Sequence, residues 1–375
     1  MNILQNIVPT NVDDIASIVA RKNKITQGMV WSFTDSTDVL TSLLSLYYKP
    51  GINLIAAGHV GPAVEIAADR AEIALKETMG FSPFNGDIDS ALDAVTSQDD
   101  IIYVSNPNRI TGANFSLAEL DRLAQAVPEG ILIINEYYYD YFGISAIPLL
   151  ESSNNIVIFR SFTSSFGIRS SDIGYVIATS NTIDRIKETF PEVKLSAIVR
   201  KTIMATLVND FALQNYLDEI HDEGLRIGLE LNRLGVQCRL TATDFVLLRI
   251  ADPASVGNHL ASRKVTIENL DGYPQLNNYV QYRIQSPSSN DNMLGAFNKM
   301  PMNLYRMKSF DRRAIKMRLN KHNTLSDNDR VQHTAKSYMR NSRNLDRQPE
   351  EREMAYSAKS PMRKHKPRNN KNVPI

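Results

Sequence analysis

Residues 101–112 read Ile101-Ile-Tyr-Val-Ser-Asn-Pro-Asn-Arg-Ile-Thr-Gly112. Four apolar residues and a serine pass straight into an Asn-Pro-Asn turn, without polar alternation. So short an apolar run, closed by turn residues, reads as an interior strand of a sheet covered on both faces. The same pattern recurs on either side. Asn53 to Ala57 precedes it, and Ile131-Leu-Ile-Ile-Asn135, Ile156-Val-Ile-Phe159 and Ile173 to Thr179 follow; Met29-Val-Trp-Ser-Phe33 opens the series. Helical patterns lie between them. Asp35 to Lys49 places Val39, Leu40, Leu43, Leu44 and Tyr47 on one stripe, and Pro62 to Lys76 is rich in alanine. Ser116 to Ala126 opens with a capping box, Ser116 and Glu119. Strands alternating with helices predict an α/β fold around a mixed, mostly parallel sheet.

From Leu195 to Leu234 the pattern is mostly helical. Then come strands Val236 to Leu240 and Phe245 to Ile250, a helix near Ala254 to Ser262, a strand Tyr279 to Gln285 and a helix around Asp291 to Phe297. These predict a second, smaller α+β unit. The division expected is a short segment 1–29, a large domain 30–220, a small domain 221–300 and a tail 301–375.

The chain has 375 residues, 43% of them hydrophobic, enough for a sizeable core. Its single cysteine, Cys238, excludes an internal disulfide and fits a reducing, cytoplasmic setting. No run approaches the length of a membrane span, and Asp13 and Asp14 interrupt what a signal peptide would need to be apolar. The net charge of +1 conceals an asymmetry: residues 301–375 hold 19 basic and 7 acidic residues, leaving 23 basic and 34 acidic before them. A tail of +12 with few apolar anchors cannot offset its ordering entropy, so it is expected to be mostly disordered, with one short helix around Phe310 to Leu319. A solvated extension is the expectation, ahead of contact with nucleic acid or another anionic partner. The six histidines lack metal-ligand spacing, and neither a GxxxxGK phosphate loop nor a nucleophile elbow is present.

Four landmarks fall in order: Ser105-Asn-Pro-Asn-Arg-Ile-Thr-Gly112; Asn135-Glu-Tyr-Tyr138; Phe159-Arg-Ser-Phe-Thr-Ser-Ser-Phe-Gly167 with Ile173-Gly-Tyr175; and Tyr282-Arg-Ile-Gln285. Together they resemble the fold-type-I pyridoxal-phosphate aminotransferases, closest to the histidinol-phosphate aminotransferase branch. The resemblance covers roughly residues 30–300. It implies a pyridoxal-phosphate-dependent transferase fold with a large and a small domain, a homodimer, and transaminase activity on a bound pyridoxal 5'-phosphate. The N-terminal arm of that family is expected to be shortened here.

Residue by residue, the resemblance also implies losses. The family's lysine, whose amine forms an imine with the cofactor, corresponds to Ser164, and a hydroxyl cannot form an imine. The aspartate that holds the protonated pyridine nitrogen corresponds to Asn135, a neutral amide. The asparagine on the ring hydroxyl corresponds to Arg109. Of the phosphate-binding groups, the helix start survives as Ser36-Thr37 and the hydroxyl beside the lysine as Thr163, but the arginine corresponds to Asp172. Gly61 stands where a stacking aromatic is expected, with His59 close enough to substitute in part. Tyr138 matches the tyrosine of the family motif, although ordinary packing in the aromatic cluster with Tyr137, Tyr139 and Tyr141 is the favoured reading. Arg283 matches the arginine that grips the substrate carboxylate; an inter-domain salt bridge is the alternative. Lys187, Lys194 and Lys201 lie downstream with no motif to place them in the site, and Glu136 and Asp140 have no evident partner.

These losses point to an aminotransferase-like protein without transaminase activity and with no bound cofactor, serving a binding, scaffold or regulatory role. It would act as a homodimer or beside an intact aminotransferase, with a small carboxylate as possible ligand. The alternatives are an active transferase of the histidinol-phosphate type and a binding protein that works through its basic tail. Arg109 and Asp172 are expected to meet as an ion pair, with Arg160 nearby, and to fill the former cofactor cavity.

Overall fold

The computed structural model describes residues 15–163, 165–166, 172–189 and 195–307. The expected tail helix and most of the basic tail lie outside these residues, as do Ser164, Lys194 and the beginning of the N-terminal segment. The first sheet has seven strands: β1 Val30–Phe33, β2 Asn53–Ala57, β3 Ala74–Thr78, β4 Ile101–Ser105, β5 Ile131–Asn135, β6 Ile156–Ser161 and β7 Gly174–Ile177, in the order β1-β7-β6-β5-β4-β2-β3. Strands β2 to β6 run parallel, and β7 lies antiparallel between β6 and β1. This is the mixed, mostly parallel sheet that the apolar runs predict.

Side chains alternate across β4. Ile102 and Val104 enter the core under α1 Ile15–Asn23, and Ile101 and Tyr103 enter the core under α2 Ser36–Tyr47 and α3 Pro62–Arg70. Helices α4 Ile88–Ala94 and α5 Leu117–Ala126 complete the α1 side. After the short α6 Tyr139–Phe142, helix α7 Ser180–Thr189 adds Ile183 and Ile186 to the α2 side. The capping box of Ser116 and Glu119 forms as the sequence predicts.

One expectation is corrected here. The helical pattern from Pro62 to Lys76 ends at Arg70, and Ala74–Thr78 forms the parallel edge strand β3. Its Ala-Leu-Lys-Glu composition favours helix, but pairing with β2 overrides that preference, and its charged residues suit an exposed sheet edge.

The second sheet has β8 Gln237–Leu240, β9 Phe245–Arg249, β10 Glu268–Asn269 and β11 Tyr279–Arg283, all antiparallel in the order β10-β11-β9-β8. It is reached through α8 Ala197–Val208 and α9 Asp210–Leu234. Asn209 separates these two helices and caps the second by accepting the backbone N–H of Ala212. Helices α10 Pro253–Ala261, α11 Pro287–Asn298 and α12 Met302–Tyr305 finish the unit. Ile110, Tyr138 and Tyr141, from loops of the large sheet, join Leu217, Phe245 and Val246 in its core.

Candidate active site

The parallel strands deliver their carboxyl ends to one edge of the large sheet, where α/β folds place ligands. A cavity of about 340 Å³ opens there. It is lined by Phe33 at the end of β1 and Ser36 after it, His59 to Gly61 after β2, Ser105 at the end of β4 and Arg109 after it, Asn135 and Tyr137 at the end of β5, Phe159 to Ser161 on β6, and Asp172 before β7. Of the residues expected at the site, Ser36, His59, Gly61, Arg109, Asn135, Thr163 and Asp172 meet on this cavity. Thr37, Tyr138 and Arg283 do not line it.

Asn135 ends β5 with its amide already engaged. Its Nδ2 donates to Tyr103 Oη at 2.9 Å, and its Oδ1 accepts the backbone N–H of Tyr137 at 3.0 Å. Burial pushes the Tyr103 phenol above its usual range, so it stays neutral. Asp172 is exposed and turns onto the start of α2, accepting the Ser36 backbone N–H at 2.8 Å and the Ser36 hydroxyl as well. A helix N-terminus favours such an anion. Asp35 serves the same turn by accepting from the backbone N–H of Asp38.

The ion pair expected between Arg109 and Asp172 is not among the ion pairs of the described residues. Both side chains are exposed and border open volume instead of filling it. Asp172 gains more from the dipole of α2 than the sequence reveals. Arg160 is likewise engaged elsewhere: its Nε bonds Glu136 Oε2 at 2.9 Å, its Nη1 Asn23 at 2.8 Å and its Nη2 Ser145 at 2.6 Å, while Cζ stacks 3.4 Å over the Tyr139 ring. Burial works against the charge of Arg160, but the buried Glu136 carboxylate together with Tyr175 and Tyr139 outweighs it and holds Arg160 protonated. Glu136 and Asp140 therefore do have partners. Ser165 Oγ donates to Asp140, and burial raises that carboxyl above the ordinary aspartate range.

Tyr138 is buried edge-on against Tyr137, Tyr141 and Phe245, and its neighbour Tyr137 faces the cavity in its place. Arg283 pairs with Asp244 at 3.1 Å. Arg283 lies on β11 and Asp244 just before β9, so the bridge lies within the second sheet and its edge. Lys187 and Lys201 are exposed on α7 and α8, and no lysine lines the cavity among the described residues. Nothing in the sequence announces the Asn135–Tyr103 bond, because strand neighbours are set by sheet order.

Residues 62–280, more than half of the chain, match the sequence model of the family described as aminotransferase class I and II. The chain belongs to the class I and II aminotransferase family. By sequence, this aminotransferase homologue is similar to the histidinol-phosphate aminotransferase of Streptomyces avermitilis, at 26% identity over 72% of this chain and 74% of that protein. The enzyme of the same name from Roseobacter denitrificans is 28% identical over 64% and 68%. Among solved structures, the histidinol-phosphate aminotransferase from Sinorhizobium meliloti in complex with pyridoxal-5'-phosphate superposes with a TM-score of 0.66 at 19% identity, covering 76% of this chain and 79% of that one. The Clostridium acetobutylicum enzyme gives 0.68 at 17%, covering 76% and 89%.

Pyridoxal phosphate is the cofactor of this family, and among the described residues those at the start of α2 do not fit its phosphate end. The first backbone donor of α2 is already taken by Asp172, and Asp35 and Asp172 both bring carboxylates to that turn. Two unit charges ~4 Å apart at an effective dielectric of 20 repel by about 4 kcal/mol. At the ring end, Asn135 has no charge with which to hold a protonated pyridine. Among the described residues, no cluster of His, Cys, Asp or Glu could hold a metal ion, and no helix is long and apolar enough to cross a membrane.

Proposed function

We propose that this member of the aminotransferase family is a non-catalytic, cytoplasmic ligand-binding protein that keeps the family cavity but not its transamination chemistry. The observation that carries this reading is the Asp172 carboxylate seated on Ser36 at the start of α2, where an arginine-assisted phosphate would need to lie. The serine at position 164 and the engaged amide of Asn135 support it. In this reading the protein acts as a binding or regulatory subunit, as a homodimer or beside an intact aminotransferase. Co-purification of a second aminotransferase-fold chain distinguishes those two assemblies.

The names of the relatives favour a second reading, an active enzyme of the histidinol-phosphate type with an amine reaching the cavity from elsewhere in the chain. The absorbance spectrum of the purified chain, with and without added pyridoxal phosphate, separates the two. The first reading predicts the spectrum of free cofactor, removable by dialysis. A persistent yellow band at one equivalent per chain, with amino transfer to a keto acid, supports the second.

A further inference from the structure

Resting on the non-catalytic reading, we infer that Asp172 is a built-in replacement for a ligand phosphate, and that the cavity takes an unphosphorylated ring compound whose carboxylate is received by Arg109 and His59.

The start of α2 is the natural anion seat of this cavity, and the protein fills it with its own side chain. Asp172 takes both the backbone N–H and the hydroxyl of Ser36. A phosphorylated ligand would have to displace that carboxylate and lie against the one on Asp35. The rest of the cavity stays open, with Phe33, Val60 and Phe159 supplying apolar wall. Such walls suit a ring.

The remaining charge decides which end group enters. Arg160 is spent on Glu136, whereas Arg109 forms no ion pair among the described residues and lines the cavity. Its side chain crosses Gly61, where a Cβ would come within 4.0 Å of Arg109 Cδ. Two residues earlier, His59 also lines the cavity. It is 3% exposed, and neither ring nitrogen has a hydrogen-bond partner. The nearest carboxylate, Glu77, stands 3.7 Å from Nδ1, and the Tyr273 ring packs edge-on at 5.4 Å. A buried imidazole whose nitrogens make no hydrogen bond, with only Glu77 at 3.7 Å, is costly unless a ligand supplies one. A carboxylate between an arginine fork and an imidazole N–H receives charge-assisted bonds from both.

The test is calorimetric titration of the full-length chain with benzoate and with phenyl phosphate, in wild type and in Asp172→Ala, Asp172→Asn and Arg109→Ala. Benzoate is expected to bind wild type one to one, at least tenfold tighter than phenyl phosphate. Asp172→Ala should tighten phenyl phosphate at least tenfold and leave benzoate within twofold, and Asp172→Asn, which removes only the charge, should lie between. Arg109→Ala should weaken benzoate at least tenfold with an unchanged melting temperature. Phenyl phosphate binding wild type as tightly as benzoate overturns the inference. So does an Asp172→Ala chain that gains nothing for phosphate, or the lack of benzoate binding that depends on Arg109. None of these outcomes bears on whether a lysine carries the cofactor, so borohydride trapping of such a lysine decides the non-catalytic reading separately from this inference.

Discussion

The carboxylate of Asp172 lies 2.8 Å from the backbone nitrogen of Ser36, so a residue before β7 closes the first turn of a helix 136 positions earlier in the chain. The contact is exposed and local. Asp172→Ala is expected to lower stability by about 0.5–1 kcal/mol, the usual scale for a charge at a helix N-terminus. Urea unfolding followed by circular dichroism measures it. A loss several times larger would show that Asp172 holds the fold together and is not simply seated on the helix.

The Glu136–Arg160 pair has the opposite character, since both side chains are almost wholly buried. Removing one partner strands a charge beneath the cavity floor. Glu136→Ala should destabilise by about 3–5 kcal/mol, much more than Lys49→Ala, which breaks only a surface contact with Asp99. Paired chemical denaturation curves compare the two.

Acid sensitivity should trace in part to Asp100. Burial pushes its carboxyl up, but the backbone N–H groups of Asn53, Thr96 and Ser97 and the Thr96 hydroxyl outweigh this and hold it below the ordinary value. A depressed folded-state value contributes stability above the unfolded value of about 4, and that contribution is lost as pH falls through the folded value. Asp100→Asn is therefore expected to cost about 1–3 kcal/mol at pH 7 and progressively less below pH 4. Melting temperatures across pH 2.5–7 test the convergence.

Rebuilding the lost groups should restore the cofactor. The combined variant Ser164→Lys, Asn135→Asp and Asp172→Arg returns the amine, the ring-nitrogen partner and the phosphate cation that the family resemblance implies at these positions. Asp at 135 can still accept the Tyr137 N–H and can take a hydrogen bond from Tyr103. Addition of pyridoxal phosphate should give the triple variant a yellow band stable to dialysis. Ser164→Lys alone should hold the cofactor at least tenfold more weakly, because Asp172 remains.

The fold was legible because interior strands announce themselves. Ile101 to Val104 and Ile131 to Ile134 are apolar on both faces, which only a twice-covered sheet permits. The β3 strand was not, since Lys76 and Glu77 suit either a helix or an exposed edge. Positions that line the cavity could be read wherever a motif fixed the spacing, as at Asn135 and Asp172. Partners could not: Arg109 and Asp172 look complementary in sequence, yet Ser36 offers Asp172 a backbone donor at a helix end. Arg160 finds Glu136 across neighbouring strands, a proximity set by the order of β5 and β6. Tyr137 in place of Tyr138 at the cavity reflects how the chain turns after β5, where one residue reverses the facing side.

Borohydride reduction of the wild-type chain, incubated with one equivalent of pyridoxal phosphate and digested for peptide mass analysis, tests the central claim most directly. The account predicts no stoichiometric pyridoxyl-lysine, only traces scattered over surface lysines. One lysine modified at close to one equivalent per chain, protected by a ligand of the cavity, would contradict it.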